Sequence, residues 1–368
     1  MRRPLSFILR AEQLDARIVP IVSSGGFGIG SFVTTPTPAA TFAIAPAFGS
    51  SQVQVFNPDG TPGLNFAAYD PGYTGGTFVA SGDVTRDGVN DVVTSTDAGG
   101  TANIRVFDGR TGGLVSSFFA YPEGFTGGAN VAVGDVNGDG FADVVTGVGS
   151  GGGPNVRVFS GFQLLRGNTS LAPVAAGGAL LASFFAYPEA FTGGVRVAVG
   201  NVDGDRFADV IVGAGAGGGP NVRTFSGLQL SGGNTSLATF ASGGMLLNSF
   251  FALPDTFTGG TFVSAGDVNG DGLSDIMIGV GPGGGPNVRA FDARTTTQLR
   301  SFFPLSSTLT GGVRVAGSDV NGDGISDFVV GSGPGSRSFA SVFSGVDGSA
   351  LMSPFAPFGA STVGVNVG

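Results

Sequence analysis

GDVNGDGFADVV, residues 134–145, sets Asp135, Asn137, Asp139 and Asp143 within nine positions. Near copies start at Asp83 (DVTRDGVND), Asn201 (NVDGDRFAD), Asp267 (DVNGDGLSD) and Asp319 (DVNGDGISD). The five starts are separated by 52, 66, 66 and 52 residues. Both long intervals carry 14 extra residues at the same place in the unit, within GFQLLRGNTSLAPVAAGGALLASFF (161–185) and GLQLSGGNTSLATFASGGMLLNSFF (227–251). The underlying period is therefore 52 residues, slightly above the ~40–50 of a propeller blade.

One unit reads as four strands. ANVAVG (129–134) alternates and leads into the Asp-rich loop, and ADVVTGVG (142–149) leaves it. After the turn GSGGGPN comes VRVFSG (156–161), and LLASFFAYP (180–188) ends the unit. Short alternating runs separated by Gly and Pro turns fit a four-stranded antiparallel blade. The composition agrees, because 69 Gly and 33 Phe stand beside no Lys and three Glu, which is poor helix-forming material. The expectation is an all-β chain.

The two ends of the sequence complement each other. TFAIAPAFGSSQVQVFNPDG (41–60) matches a unit from its second strand onward. FAPFGASTVGVNVG (355–368) matches the end of one unit and the first strand of the next. Joined, they complete one blade and predict 24 strands in a six-bladed ring closed by mixing N- and C-terminal strands, which removes a pair of exposed edges. Seven blades stay open, because GSFVTT (30–35) also reads as a first strand. The domain expectation is a single propeller over 41–368 after a mostly irregular leader or sorting segment, 1–40. That segment has only PLSFIL as an apolar stretch, short of the ~7–15 residues of a secretory core, and its LDARIVP resembles a head found on some bacterial surface proteins. No run approaches the ~20 apolar residues of a membrane span.

In D-x-[DN]-x-D-G-x-x-D, side-chain oxygens fall at positions 1, 3, 5 and 9, and a backbone carbonyl at 7 fills the gap. Hard oxygen donors on a tight loop suit Ca²⁺, which takes six to eight of them. The candidate ligands are Asp83, Thr85, Asp87, the Val89 carbonyl and Asp91; Asp135, Asn137, Asp139, the Phe141 carbonyl and Asp143; Asn201, Asp203, Asp205, the Phe207 carbonyl and Asp209. The last two loops supply Asp267, Asn269, Asp271, the Leu273 carbonyl and Asp275, then Asp319, Asn321, Asp323, the Ile325 carbonyl and Asp327. Up to five ions are expected. The loops hold fifteen of the 26 acidic residues, and a divalent cation in each would bring the net charge from −9 to about +1. The acidity thus belongs to the loops and is no evidence for a basic partner. A helical EF-hand is excluded by Asp at position 9 and the strand-like VVTGV that follows. A calcium β-helix would repeat every nine residues. The bland alternative is a metal-free Asx-turn hairpin.

The five loops are not equal. Thr85 is a poor ligand, Asn201 and Asp203 exchange the usual order, and Arg206 replaces the turn glycine found at Gly88, Gly140, Gly272 and Gly324. Arg206 in a left-handed turn would cost roughly 1–2 kcal/mol, so the third loop is expected to be the weakest.

DVNGDGFADVV followed by GVGSGGGPNVRVF resembles the FG-GAP/VCBS repeat of integrin-α-type β-propellers, and the likeness runs over nearly all of 41–368. It implies calcium at the Asp-rich loops, with Asp135, Asn137, Asp139, the Phe141 carbonyl and Asp143 as one ligand set and the other loops likewise. Integrin-type propellers have seven blades, from which the expected six departs.

Strand alternation places the Asp-rich loops and both insertions on one face. The GSGGGPN turns and the loops holding Tyr121, Glu123, Tyr187, Glu189 and Asp255 lie on the other, where they form a candidate ring of contacts. Phe125, Phe191 and Phe257 read as filling for the blade junctions. The Arg at 157, 223 and 289 reads as a structural ladder or inter-blade ion pair. GVGSGGGPN is a turn rather than a phosphate loop, since it has no Lys and no following helix. NTS at 168–170 and 234–236 fits a glycosylation sequon but reads as loop polarity.

Without His, Cys or Lys, the commonest catalytic bases and nucleophiles are missing. The expectation is an extracellular or cell-surface, calcium-stabilised binding, adhesion or scaffold module for a protein or polysaccharide, monomeric and without a nucleic-acid partner. The alternative is a calcium-dependent lyase or glycoside hydrolase, since a carboxylate pair alone can serve glycosidase chemistry.

Overall fold

The computed structural model describes residues 40–335 and 337–368. Six four-stranded antiparallel sheets make up the ring. In the second blade the strands are Ala129–Gly134, Asp143–Val148, Asn155–Phe159 and Leu180–Phe185. Their in-register pairs include Gly134↔Asp143 beside the loop and Asn155↔Phe185 at the outer edge. The first blade spans 77–119, the third 195–251, the fourth 261–302 and the fifth 313–355. The expected leader and the GSFVTT run lie outside the described residues.

The sixth blade is the mixed one. Its innermost strand is Val365–Val367, which pairs with Phe42–Pro46 through Ile44↔Val367, Ala45↔Asn366 and Pro46↔Val365. Gln52–Phe56 and Pro62–Ala67 complete it. Six blades and closure by both ends are therefore observed.

Each second strand is buried along its whole length, as in DVVTGV of 143–148. Blades stack face to face, so this strand has no solvent side and carries a continuous apolar run instead of an alternation. The stacking is close enough to exclude a side chain at Gly147, where an added Cβ would lie 2.4 Å from the Val195 carbonyl of the next blade. The fourth strands form the rim and alternate between buried and exposed positions.

The two insertions hold short helices the sequence had not signalled, Gly161–Leu165 and Gly227–Ser231, each capped by a serine hydroxyl (Ser160, Ser226) that accepts a backbone N–H. The sequon asparagines staple these insertions. Asn168 Nδ2 donates to Gln163 Oε1 at 3.1 Å and to the Gly177 carbonyl at 2.9 Å, and Asn234 repeats this on Gln229 and Gly243.

Candidate metal loops and the opposite face

The Asp-rich loops and the third-to-fourth strand connections share a face, as expected, and the ninth Asp ties them together. Asp143 is fully buried: its Oδ2 accepts the N–H of Val136 (3.0 Å) and Asn137 (3.2 Å), and its Oδ1 accepts the N–H of Gly161 at 3.0 Å. Asp209 and Asp327 repeat the pattern with Gly227 and Gly345, and Asp91 with Gly109. In the fourth blade Ala293 stands at the glycine's place, and Asp275 keeps only the loop-side backbone bond, from Val268.

Burial removes water from these carboxylates, and the loop's other carboxylates add like charge. Asp143 is pushed well above the usual carboxylate range by burial, then by Asp139 and Asp135. Asp209 and Asp275 rise to about 7 and Asp327 to about 6, and Asp91 is also raised, in each case chiefly by burial.

Around this buried anchor the loop closes through its own carboxylates. Asp135 accepts N–H bonds from Asp139 and Gly140 at 3.1 and 2.8 Å, and Asp139 accepts one from Phe141 at 2.9 Å. Asp83 and Asp319 bind the same pair of N–H groups in their loops, and Asp267 binds those of Gly270 and Gly272. Asn137, Asn269 and Asn321 donate across the loop to the position-5 carboxylate. Among the described residues, no three acidic groups converge as a ready-made metal centre. The donor chemistry nevertheless fits a hard cation. All loop donors are oxygens, and the carboxylates keep lone pairs beyond those bonded to N–H groups. A buried carboxylate with carboxylate neighbours is also the kind of site a cation relieves.

The third loop folds differently from the expectation. Arg206 is not left-handed. Asn201, an amide where the others have a carboxylate, accepts from Gly204 N–H at 2.8 Å and donates to the Asp205 carbonyl, so the wrap around position 6 is not made. The strained non-glycine is in the first loop instead, Arg86 with φ 60° at position 4, where the second to fifth loops have glycine. The first loop has another feature the sequence did not reveal. Arg110, from the third-to-fourth strand turn, holds the position-5 carboxylate of Asp87 through Nε at 2.5 Å and the Asp87 carbonyl through Nη2 at 2.7 Å. This cation stands where a metal would want the same oxygen.

Neighbouring loops interlock. In the second to fifth loops the position-8 N–H donates to the position-1 carbonyl of the loop before it, as in Ala208→Asp135 (2.8 Å) and Ser274→Asn201 (2.7 Å). The position-7 side chain lies over position 4 of the preceding loop, and Phe141 carries the Arg86 guanidinium 5.0 Å from its ring centroid.

On the opposite face the expected contact ring is corrected. Tyr121 and Tyr187 are buried, and their hydroxyls donate to backbone carbonyls of the following blade, Thr146 and Asn155 for Tyr121. The repeated arginines make no ion pair among the described residues. Arg157 Nε donates to Asn155 Oδ1 (3.1 Å) and Nη1 to the Ala120 carbonyl (2.7 Å), with its guanidinium over Tyr121. Arg105 and Arg223 do the same on Tyr69 and Tyr187, so Tyr and Arg clamp adjacent blades. Glu123, Glu189 and Asp255 remain exposed. Phe119, Phe185, Phe251 and Phe303 recur at the ends of four outer strands and are 37–58% exposed. Two of them enter repeat-related clefts. Phe119, Glu123, Thr169 and Leu171 line one of about 770 Å³, and Phe185, Glu189, Thr235 and Leu237 one of about 540 Å³.

The span from the first loop through the second strand of the second blade carries the diagnostic sequence. Residues 83–146 match the FG-GAP-like repeat family. The chain is thus a six-bladed propeller bearing FG-GAP-like repeat sequence. No curated protein matches it significantly. Among solved structures it is similar to a protein of unknown function from Bacteroides caccae, at 11% identity and a TM-score of 0.49 over 89% of this chain and 98% of that one. It is also similar to the exotype rhamnogalacturonan lyase YesX (13% identity, TM-score 0.38, 82% of this chain) and to a rhamnogalacturonan lyase of Bacillus licheniformis (14%, 0.39, 88%). The chain spans 64% and 56% of those two lyases. These likenesses carry no argument about activity.

Proposed function

We propose that this propeller is a calcium-stabilised binding or surface-scaffold module for an extracellular protein or polysaccharide. The observation that carries the calcium reading is the set of five buried ninth-position aspartates, each beneath a cluster of loop oxygens and each made harder to ionise by its surroundings. In the second, fourth and fifth loops the oxygens named for the sequence would hold the ion, and its charge would let the buried carboxylate stay ionised. The first and third loops are weaker, the first because Arg110 occupies Asp87 and the third because Asn201 replaces a carboxylate. Short oxygen-donor loops of this kind suit the millimolar calcium found outside cells, which supports an extracytoplasmic home. No helix among the described residues is long and apolar enough to cross a membrane. The exposed phenylalanines and their clefts offer the ligand an apolar surface with carboxylates beside it.

Calorimetric calcium titration with thermal unfolding in EDTA and in millimolar CaCl₂ tests this reading. Three stronger and up to two weaker ions, with a rise in midpoint, are expected. Each site at a hundredfold excess over its Kd stabilises the chain by about 2.7 kcal/mol. No heat and no shift would leave the loops as bare turns.

A further inference from the structure

The axis of the ring is lined by the first strand of every blade, and its second and third residues enclose a chamber of about 50 Å³. Around it, in blade order, the second residues are Phe78, Asn130, Arg196, Phe262, Arg314 and Asn366. The third residue is valine in all six strands, a collar between this chamber and the Asp-loop end of the channel. First strands run from the glycine turns toward the Asp-rich loops, so the two arginines stand at the channel end remote from the metal loops.

Both guanidiniums lie on one ring, with Arg196 Cζ 3.9 Å and Arg314 Cζ 4.6 Å from the centroid of Phe262. Arg196 uses only Nη1, toward the carbonyls of Ala214 (3.3 Å) and Thr261 (3.4 Å). Arg314 donates through Nε to Asn366 Oδ1 and through Nη1 to the Gly311 carbonyl, both at 3.3 Å. The remaining N–H groups, on Nε and Nη2 of Arg196 and on Nη2 of Arg314, have no protein acceptor among the described residues. No carboxylate forms an ion pair with either guanidinium; the ion pair found among the described residues is Arg110–Asp87. Asp97, in the turn after the second strand of the first blade, acts on both at longer range. Burial opposes the charge on each, and Arg314 opposes that on Arg196.

Two half-buried cations with no carboxylate in contact cost free energy that an anion would recover, and the planar fork of a guanidinium matches a carboxylate. We infer that the Arg196–Arg314 chamber is an anion site that takes one small monocarboxylate entering from the glycine-turn face. The volume equals roughly four water-sized bodies, which admits an acetate-sized ion and excludes a sugar ring. Asparagines at Asn130 and Asn366 leave the opposite wall neutral but polar, while the valine collar provides an apolar floor for a methyl group.

Titration of [¹³C]acetate into the full chain, followed by line broadening at constant ionic strength in chloride, tests the site, with acetamide as the uncharged isostere. Saturable acetate binding is expected, with acetamide inert. Arg196→Gln and Arg314→Gln should each weaken acetate by at least about tenfold, the loss of one charge-assisted contact. Asp97→Asn, a change outside the chamber wall, should tighten it by removing a repelling charge. Equal binding of acetate and acetamide, or unchanged acetate binding in both arginine variants, overturns the inference. So does an Asp97→Asn chain that binds acetate more weakly. Because the titration is run both with calcium and with EDTA, loss of the calcium reading leaves the acetate result standing on its own.

Discussion

Arg157 and Tyr121 show what one repeated pair contributes. The guanidinium reaches from the third strand of its own blade to the end of the previous one, satisfying the Ala120 carbonyl and lying 5.0 Å from the tyrosine ring centroid. Arg157→Ala leaves that carbonyl and Asn155 Oδ1 without the donor they share. A loss of about 3 kcal/mol is expected, from two hydrogen bonds to a charged group and a part-buried cation–π contact. Arg166→Ala, which removes a guanidinium resting on Phe162 alone, should cost under about 1 kcal/mol. Urea unfolding of both variants separates the two roles, and equal losses would refute the clamp. The sequence showed that the arginine recurs with the repeat, but not what it touches. Its partner sits 36 residues earlier in another blade, and periodicity reports recurrence without contact. For the same reason Tyr121 looked available for ligand when it is sealed beneath an arginine.

At the scale of the element, the Asp-rich loop was legible in its essentials and misleading in its details. Strand boundaries, the loop's place between first and second strands and the face it occupies follow from alternation and glycine spacing alone. The roles within the loop do not. The ninth Asp carries a backbone clamp to the third-to-fourth strand turn, a partner eighteen residues away. Arg206 escapes the left-handed turn because the hydrogen bonds that enforce it elsewhere begin at a carboxylate, and Asn201 has none to offer. The buried aspartates also give the calcium-free chain a distinctive pH response. Asp209, Asp275 and Asp327 have folded pKa values of about 7, 7 and 6 against 3.8 unfolded. Between those limits the folded state holds more protons than the unfolded one, so stability falls as pH rises. In EDTA the thermal midpoint should therefore be higher at pH 5 than at pH 8, and millimolar calcium should shrink or reverse that difference. A midpoint in EDTA that climbs from pH 5 to pH 8 would show that these carboxylates are not destabilised by burial.

For the whole molecule the decisive element is the shortest strand. Val365–Val367 is the inner strand of the sixth blade, and it joins the end of the sequence to Phe42–Pro46 by a ladder continued by Ala43 N–H to the Gly368 carbonyl at 2.7 Å and its reciprocal at 3.0 Å. Val365 and Asn366 are buried, and Asn366 Nδ2 donates to the Thr77 carbonyl of the first blade at 2.9 Å. The strand thus completes a sheet, the valine collar and a contact across the last blade junction at once. A chain ending at Gly364 should lose about 2–4 kcal/mol from one buried and one half-buried valine side chain alone. It should also expose Phe42–Pro46 as an unpaired inner edge open to other chains. Deleting the outer strand Pro62–Ala67, whose side chains are mostly exposed or half-buried, should cost less, because it removes rim and leaves the junctions intact. The peptide STVGVNVG, residues 361–368, added in trans should restore the midpoint of the shortened chain. Restoration by that peptide, but not by one with Val365 and Val367 changed to Asp, would make closure a matter of specific strand pairing. An unchanged midpoint after truncation would mean that the blade stacks hold the ring without its clasp.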